Sequence, residues 1–304
     1  MVAGVGGTTQ IQLDLARMGQ QLTDIQNQIG SGARASDLKG FGGLAGALLS
    51  TQSLKAAADS KSSVIDQLQA RFDVQGAALQ QVAGGARALA LSIRTAISAN
   101  DGRGVGTDLE LNFSSIVTAL NQTWNGQPLF AGERQTGVPV KINSLQELTA
   151  STGPSDIFDE AARTQTIDLG TGAPIVLAKK ASDMSQGLFD AMKSLQQLVT
   201  ATGGLGQPIS QANIASLQAI AAQLDTQASA FDTESGRAGQ IQTQLTTQST
   251  QLQAQSDLLT KEIGDQRDAD PAALSVQLNL LMTQYQASAK VFSDLSKLTL
   301  LNYL

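Results

Sequence analysis

Each end of this chain carries a heptad row of mostly apolar residues, and no other feature restricts the fold as strongly. Near the start the row is Ile11, Leu15, Met18, Leu22, Ile25 and Ile29, with spacings of four, three, four, three and four. Near the end it is Leu274, Leu278, Leu281, Tyr285, Ser288, Phe292, Leu295 and Thr299, again alternating four and three. Such a row stays on one face of an α-helix and seats against another helix. Leu298, Leu300, Leu301 and Leu304 make the tail apolar almost all round, so it needs a buried partner. Heptad period alone does not separate pairing within one chain from pairing between chains. The apolar tail shifts the weight toward burial between subunits.

The first row stops at Gly30-Ser31-Gly32, which reads as a helix end and turn. Residues 33 to 43 read as a loop broken by Gly40, Gly42 and Gly43. A long helix is expected from about Leu44 to Ala99, with Ile65, Leu68, Phe72, Leu79, Val82, Leu89 and Ile93 on its seam. Gln75 occupies one seam position, and Gly84-Gly85 is a place for a bend. A shorter helix follows through Leu109, Phe113, Ile116, Leu120 and Trp124, and Asn125-Gly126 is a turn signal. Beyond it, Pro128–Ala131, Val138–Ile142, Gln165–Leu169 and Pro174–Ala178 read as short strands. Helix resumes near Asp183, breaks at Gly203-Gly204-Leu205-Gly206, and runs from about Ser210 to Ile263, a span of roughly 80 Å at 1.5 Å per residue. Residues Gly264 to Pro271 make a polar break before the last helix.

The expected fold is therefore mainly α: a long antiparallel helical, coiled-coil rod built from the N- and C-terminal segments, with a small β-rich insert. The expected divisions are an N-terminal axial helix at 1–40, one half of the rod at 41–127, the β-rich outer insert at 128–182, the other half of the rod at 183–265 and a C-terminal axial helix at 266–304.

Composition removes several function classes. The 304 residues include no cysteine and no histidine, so disulfides, thiolate metal sites and the commonest general base are absent. The net charge is −6, and no block of lysine and arginine marks a nucleic-acid or anionic-membrane surface. No run of about 18 apolar residues marks a transmembrane helix. Met1 to Gly7 lacks the basic stretch of a secretory signal, so residence in the cytoplasm or export without a cleaved signal is expected. Aromatics make up only 4%, and Ala, Leu and Gln, which favour helix, are abundant.

Three clusters invite a chemical reading, and each has a plainer one. Gly102-Arg103-Gly104-Val105-Gly106 follows no expected strand and lacks the Lys-Ser/Thr of a phosphate loop, so it reads as a turn. Asp156, Asp159 and Glu160 are close in sequence, but solvated loop carboxylates are the expected reading. Trp124 and Phe130 flank the Asn-Gly turn, where core packing outweighs ligand stacking. No enzyme, no catalytic residue, no metal and no cofactor is expected.

Three segments together resemble the flagellin superfamily, most of all the FlgL-type hook-associated proteins of the hook–filament junction. Ile25 to Arg34 resembles the family's Ser-Gly-x-Arg segment, here Ser31, Gly32, Ala33 and Arg34. Leu120 to Gly132 resembles its mid-chain Leu-Asn, Asn-Gly and Phe-Ala-Gly motif, and that ending is closer to the junction proteins than to filament flagellins. Lys290 to Leu304 is similar to its C-terminal helix. Ala35 to Gly43 departs from the family, carrying only Asp37 and several glycines.

The resemblance implies an extracellular part of the bacterial flagellum, exported by a type III route. It implies self-assembly into a ring or helical tube, with another hook-associated protein, flagellin and an export chaperone as partners. The terminal helices would be disordered in the monomer and ordered on assembly. Nucleic acid and membrane are not expected partners. The expected assembly interface is Ile11, Leu15, Met18, Leu22, Ile25 and Ile29 with Leu278, Leu281, Tyr285, Phe292, Leu295, Leu298 and Leu301. A filament-forming flagellin and a secreted coiled-coil tip or effector protein are the competing readings.

Overall fold

A computed structural model describes the backbone of residues 3–170 and 174–301, and the side chains of residues 9–170 and 174–294. The element order is α1 (Ala3–Ser31), a 3₁₀ turn (Leu38–Leu44), α2 (Ala45–Ala99), α3 (Val105–Leu120), β1 (Thr123–Trp124), β2 (Gln127–Pro128), α4 (Leu145–Ala150), α5 (Pro154–Ile157), β3 (Thr166–Ile167), β4 (Ile175–Val176), α6 (Ala181–Ala201), α7 (Gln211–Arg267) and α8 (Pro271–Leu301). The fold is mainly α with a small β insert. The chain forms two compact units. One is drawn from both chain ends, up to Ser60 and from Leu252 onward, and the other is the continuous stretch Lys61–Gln251.

The continuous unit holds the larger core. α2 supplies Leu79, Val82, Leu89 and Ile93, α3 supplies Leu109, Phe113 and Ile116, α6 supplies Leu188, Phe189 and Met192, and α7 supplies Leu217, Leu224 and Phe231. With Ala86 on α2 and Ala221 and Ala228 on α7, most of these positions recur at steps of three or four residues, so each helix turns one apolar face inward. α2 and α7 run antiparallel here, joined across their flanks by Arg87 with Asp232, Arg94 with Asp225, and Gln242 with Asp73 at 2.6 Å. α2 continues through Gly84 and Gly85. A Cβ on Gly85 would lie 3.1 Å from Ile116 Cγ1, so this glycine lets α3 approach closely.

Regular strand pairing in the insert is shorter than the alternating pattern suggests. β1 pairs with β2 and β3 with β4, each through two residues, and Val140 bridges Phe158. Apolar burial and side-chain hydrogen bonds hold the rest. Leu129, Phe130, Val140, Ile142, Leu148, Ile157 and Phe158 all join the helical core. The Asn121 amide donates to the Val140 carbonyl and accepts from the Val140 N–H, both at 2.9 Å, doing the work of a neighbouring strand. The β3–β4 hairpin is tied to α2 and α7 by two polar contacts. Arg71 of α2 donates to Gln165 at 2.8 Å, and Lys179 meets the buried Glu234 of α7 at 3.0 Å. Burial pushes the Arg71 guanidinium below its usual pKa.

The unit built from the chain ends has a thinner core of Leu48, Ala58, Leu259 and Leu274. Ser256 of α7 donates to Asp59 of α2 at 2.6 Å. α8 starts at Pro271, and the Asp270 carboxylate accepts from the N–H groups of Ala272 and Ala273 at 2.9 and 3.2 Å. Proline in the first turn behind an aspartate cap starts a helix sharply.

Candidate assembly surface

α1 and α8 pack against each other within the chain. They run antiparallel: Gln21, Asp24, Ile25 and Gln28 line one groove with Gln284, Leu281, Leu280 and Gln277. Ile11, Leu15, Met18, Leu22 and Ile25 are half-buried, as are Leu278, Leu281 and Phe292. Ile29 and Tyr285 are exposed, at 40% and 37%. The side chains of Leu295, Leu298 and Leu301 lie outside the described residues. A lone helix pair covers one side of each row, so partial burial is what its geometry provides.

A second apolar row on α8 was not part of the sequence expectation. Val276, Leu280 and Val291 stand 69%, 60% and 53% exposed. Ala287 lies between them, which gives spacings of four, seven and four. Met282 on α8 and Leu13 on α1 are also exposed, at 42% and 52%. The signal was present in the spacing, but the stronger first row masked it. Residues 271–289 contain no charged side chain, so this face has no charge to repel an identical copy.

The loop ends of α1 and α8 are joined. The Arg34 N–H donates to the Arg267 carbonyl at 2.8 Å, and the Ala269 N–H to the Gly32 carbonyl at 2.9 Å. Ala33 thereby forms an antiparallel bridge with Asp268. The Arg34 side chain donates through Nε to the Asp268 carbonyl at 2.8 Å, and Gln28 Nε2 donates to the Arg34 carbonyl at 2.8 Å.

The clusters with possible chemistry are all used structurally. Asp156 accepts from the Thr152 N–H at 2.7 Å and from the Thr152 hydroxyl at 2.8 Å. Asp159 pairs with Arg134, and Glu160 receives Ser182 and lies 3.4 Å from Lys180. Trp124 packs partly buried against the core, and Phe130 is fully buried. No group of three or more metal-ligating side chains occurs among the described residues. No helix is long and apolar enough to cross a membrane among them.

The glycine-rich segment after α2 is a turn. A Cβ on Gly102 would lie 2.4 Å from Leu205 Cβ, and its N–H donates to the Gly206 carbonyl at 2.9 Å. The Arg103 guanidinium donates to both oxygens of Asp101, at 2.9 and 2.6 Å, and its N–H adds a bond at 3.1 Å. These bonds, the side-chain ones foremost, hold the Asp101 carboxyl at a pKa of about 2. The folded value is below the ordinary one near 3.9, so the contact contributes fully above that value and is lost as pH falls through about 2. A carboxyl NMR titration is expected to find Asp101 still ionised at about pH 3, where exposed carboxylates are largely protonated. An ordinary titration near 4 would contradict the geometry.

The mid-chain motif is also structural. Leu120 is fully buried, Asn121 holds Val140, and Asn125 and Gly126 turn the chain with φ of 49° and 77°. The Phe130 carbonyl accepts from Ala181 and the Ala131 carbonyl from Ala161, both at 2.9 Å. Gly132 then has φ +66°, and a Cβ there would lie 2.3 Å from the Arg163 carbonyl oxygen. Gly132→Ala is expected to destabilise the Lys61–Gln251 unit by roughly 2 kcal/mol or more, read by urea unfolding. An unchanged midpoint would show that the loop yields freely.

Residues 220–304 match the family model of the bacterial flagellin C-terminal helical region. No curated protein sequence matches. A candidate flagellar hook-associated protein from Vibrio parahaemolyticus has a similar structure, with a TM-score of 0.61 and 14% identity over 76% of this chain and 99% of that one. Bacillus cereus FlgL is also similar, with a TM-score of 0.52 and 12% identity over 70% of this chain and 96% of that one. The C-terminal part of the chain is thus similar to that of a flagellin. The family match spans most of α7 and all of α8, so it includes the second apolar row of α8. The likeness of fold extends to most of the length of both solved proteins.

Proposed function

We propose that this chain is a structural subunit of the bacterial flagellum, a FlgL-type junction protein that connects hook to filament by helical self-assembly. The observation that carries the reading is the exposed row on α8. Val276 and Val291 are over half exposed on a helix whose other face already meets α1, and Leu280, at the edge of the α1 groove, is 60% exposed. An apolar row at near-heptad spacing on a finished helix pair supports further helices as its cover. The assembly contact would then combine this row with the half-exposed edges of Ile11 to Ile29 and Leu278 to Phe292. The two similar solved structures, a flagellar hook-associated protein and FlgL, share this fold and support a hook-associated reading.

The function is mechanical continuity between two tubes, with no reaction catalysed. Its neighbours are copies of itself, another hook-associated protein and flagellin. Export proceeds through the flagellar type III route with a chaperone, and the site of action is outside the cell. Removing the gene is expected to give cells with hooks and no attached filaments, and gold-labelled antibody should mark one band at the hook–filament boundary. Normal filaments in that strain would overturn the reading. The match to the flagellin C-terminal region favours one alternative, a filament flagellin. That alternative predicts label along the whole filament and the chain as its dominant protein.

A further inference from the structure

We infer that Ser31–Arg34 is a register clasp: it fixes how far α1 and α8 slide along each other, and Arg34 is its positioning residue. The inference concerns the chain itself and stands apart from the flagellar reading.

The helix pair cannot set its own register. Both facing rows repeat at four and three, so a slip of seven residues, about 10 Å, again places apolar side chains opposite apolar side chains. Helix pairs with degenerate apolar seams obtain register from flanking charges or from one buried polar residue. Neither is found among the described residues. α8 carries no charge over 271–289, and the ion pairs on the two helices are Arg17 with Asp14 and Lys290 with Asp294, each within one helix. The seam position Ser288 is small and half-buried, too slight to forbid a slip.

The clasp supplies what the seam lacks. Its two backbone bonds and the Arg34-to-Asp268 bond lie where α1 ends and α8 is about to begin. A slip of one heptad breaks all three, because each fixes a named donor to a named carbonyl. Gly32 permits the arrangement with φ +68°, a conformation that side chains disfavour. Gln28, on the last turns of α1, grips the Arg34 carbonyl and so transmits the clasp into the helix. Arginine suits the position because its planar fork presents Nε–H and leaves the charged end in water.

The chain contains no cysteine, so introduced pairs report without background. Ile25→Cys with Leu281→Cys marks the observed register, since both residues line one groove. Ile25→Cys with Leu274→Cys, or with Ser288→Cys, marks a slip of one heptad either way. Each pair is oxidised in the full chain, both free and after assembly. The observed pair should close and the slipped pairs should stay open. Adding Arg34→Ala should raise closure of the slipped pairs about tenfold relative to the observed pair, the effect of losing one charged hydrogen bond. Arg34→Lys, which can still donate to the Asp268 carbonyl, should restore part of the preference. Three outcomes overturn the clasp: an unchanged pattern in Arg34→Ala, loss of the observed pair with no gain in slipped ones, or a parent chain with no preference in either state. The last would leave the flagellar reading intact if gold label still marked the junction.

Discussion

A chain carrying Val276→Asp, Leu280→Asp and Val291→Asp is expected to fold its Lys61–Gln251 unit normally and to lose assembly altogether. These side chains are 69%, 60% and 53% exposed, so carboxylates there meet water in the free chain and change its stability little. The assembled state is different. Three unpaired carboxylates pressed into an apolar contact cost several kcal/mol between them, even after partial relaxation. At about 1.4 kcal/mol per tenfold, the concentration needed for assembly should rise at least a thousandfold. Sedimentation of purified protein and swimming in soft agar measure the two levels. Normal motility with all three substitutions would show that another surface makes the contact.

Phe189→Ala is expected to produce the largest loss of stability from a single substitution. Phe189 is fully buried where α3, α6 and the insert meet. Its ring stands edge-on to Phe113 at 6.1 Å and to Phe158 at 5.7 Å. Truncating a buried phenylalanine costs about 3–5 kcal/mol, and two lost ring contacts place this site toward the upper end. For a unit of this size that lowers the melting temperature by roughly 10 °C. Trp124 is the single tryptophan of the chain and packs against the same core, so its fluorescence reports the melting of this unit. A shift of only a degree or two would mean that the neighbouring rings close the cavity.

The helices were legible because burial repeats along them. Leu79, Val82, Leu89 and Ile93 are all fully buried, and that regularity marks α2 in the sequence. The insert was legible as turns, since Asn125-Gly126 and Gly132 take the positive φ that such residues tolerate. Its strands were overread at Val138–Ile142 because alternation there arises from burial against helices. Val140 takes the partners of a strand from the Asn121 side chain, and no spacing rule reveals that.

The candidate assembly surface was legible only in part. The first rows at both ends stood out in the sequence, yet the structure covers them partly with each other. The row left open, at Val276, Leu280 and Val291, is weaker in the sequence because Ala287 and polar residues interrupt it. Resemblance marked Ser31-Gly32-Ala33-Arg34, but its partner residues 267–269 lie more than 230 positions away. Only the folded chain brings those two loops together.

That separation constrains the order in which the chain can acquire its structure. The Lys61–Gln251 unit is continuous in sequence. The other unit draws on both ends, and among the described residues α1 packs mainly against α8, which comes much later in the chain. A chain delivered from its N-terminus, by synthesis or through a narrow channel, therefore presents Ile11 to Ile29 uncovered for most of its passage. The continuous unit has the shorter loops to close and folds first, and closure of the ends is a late and slower step. α1 thus appears well before its partner α8 and is secured late, which leaves it open to escort by another protein before then.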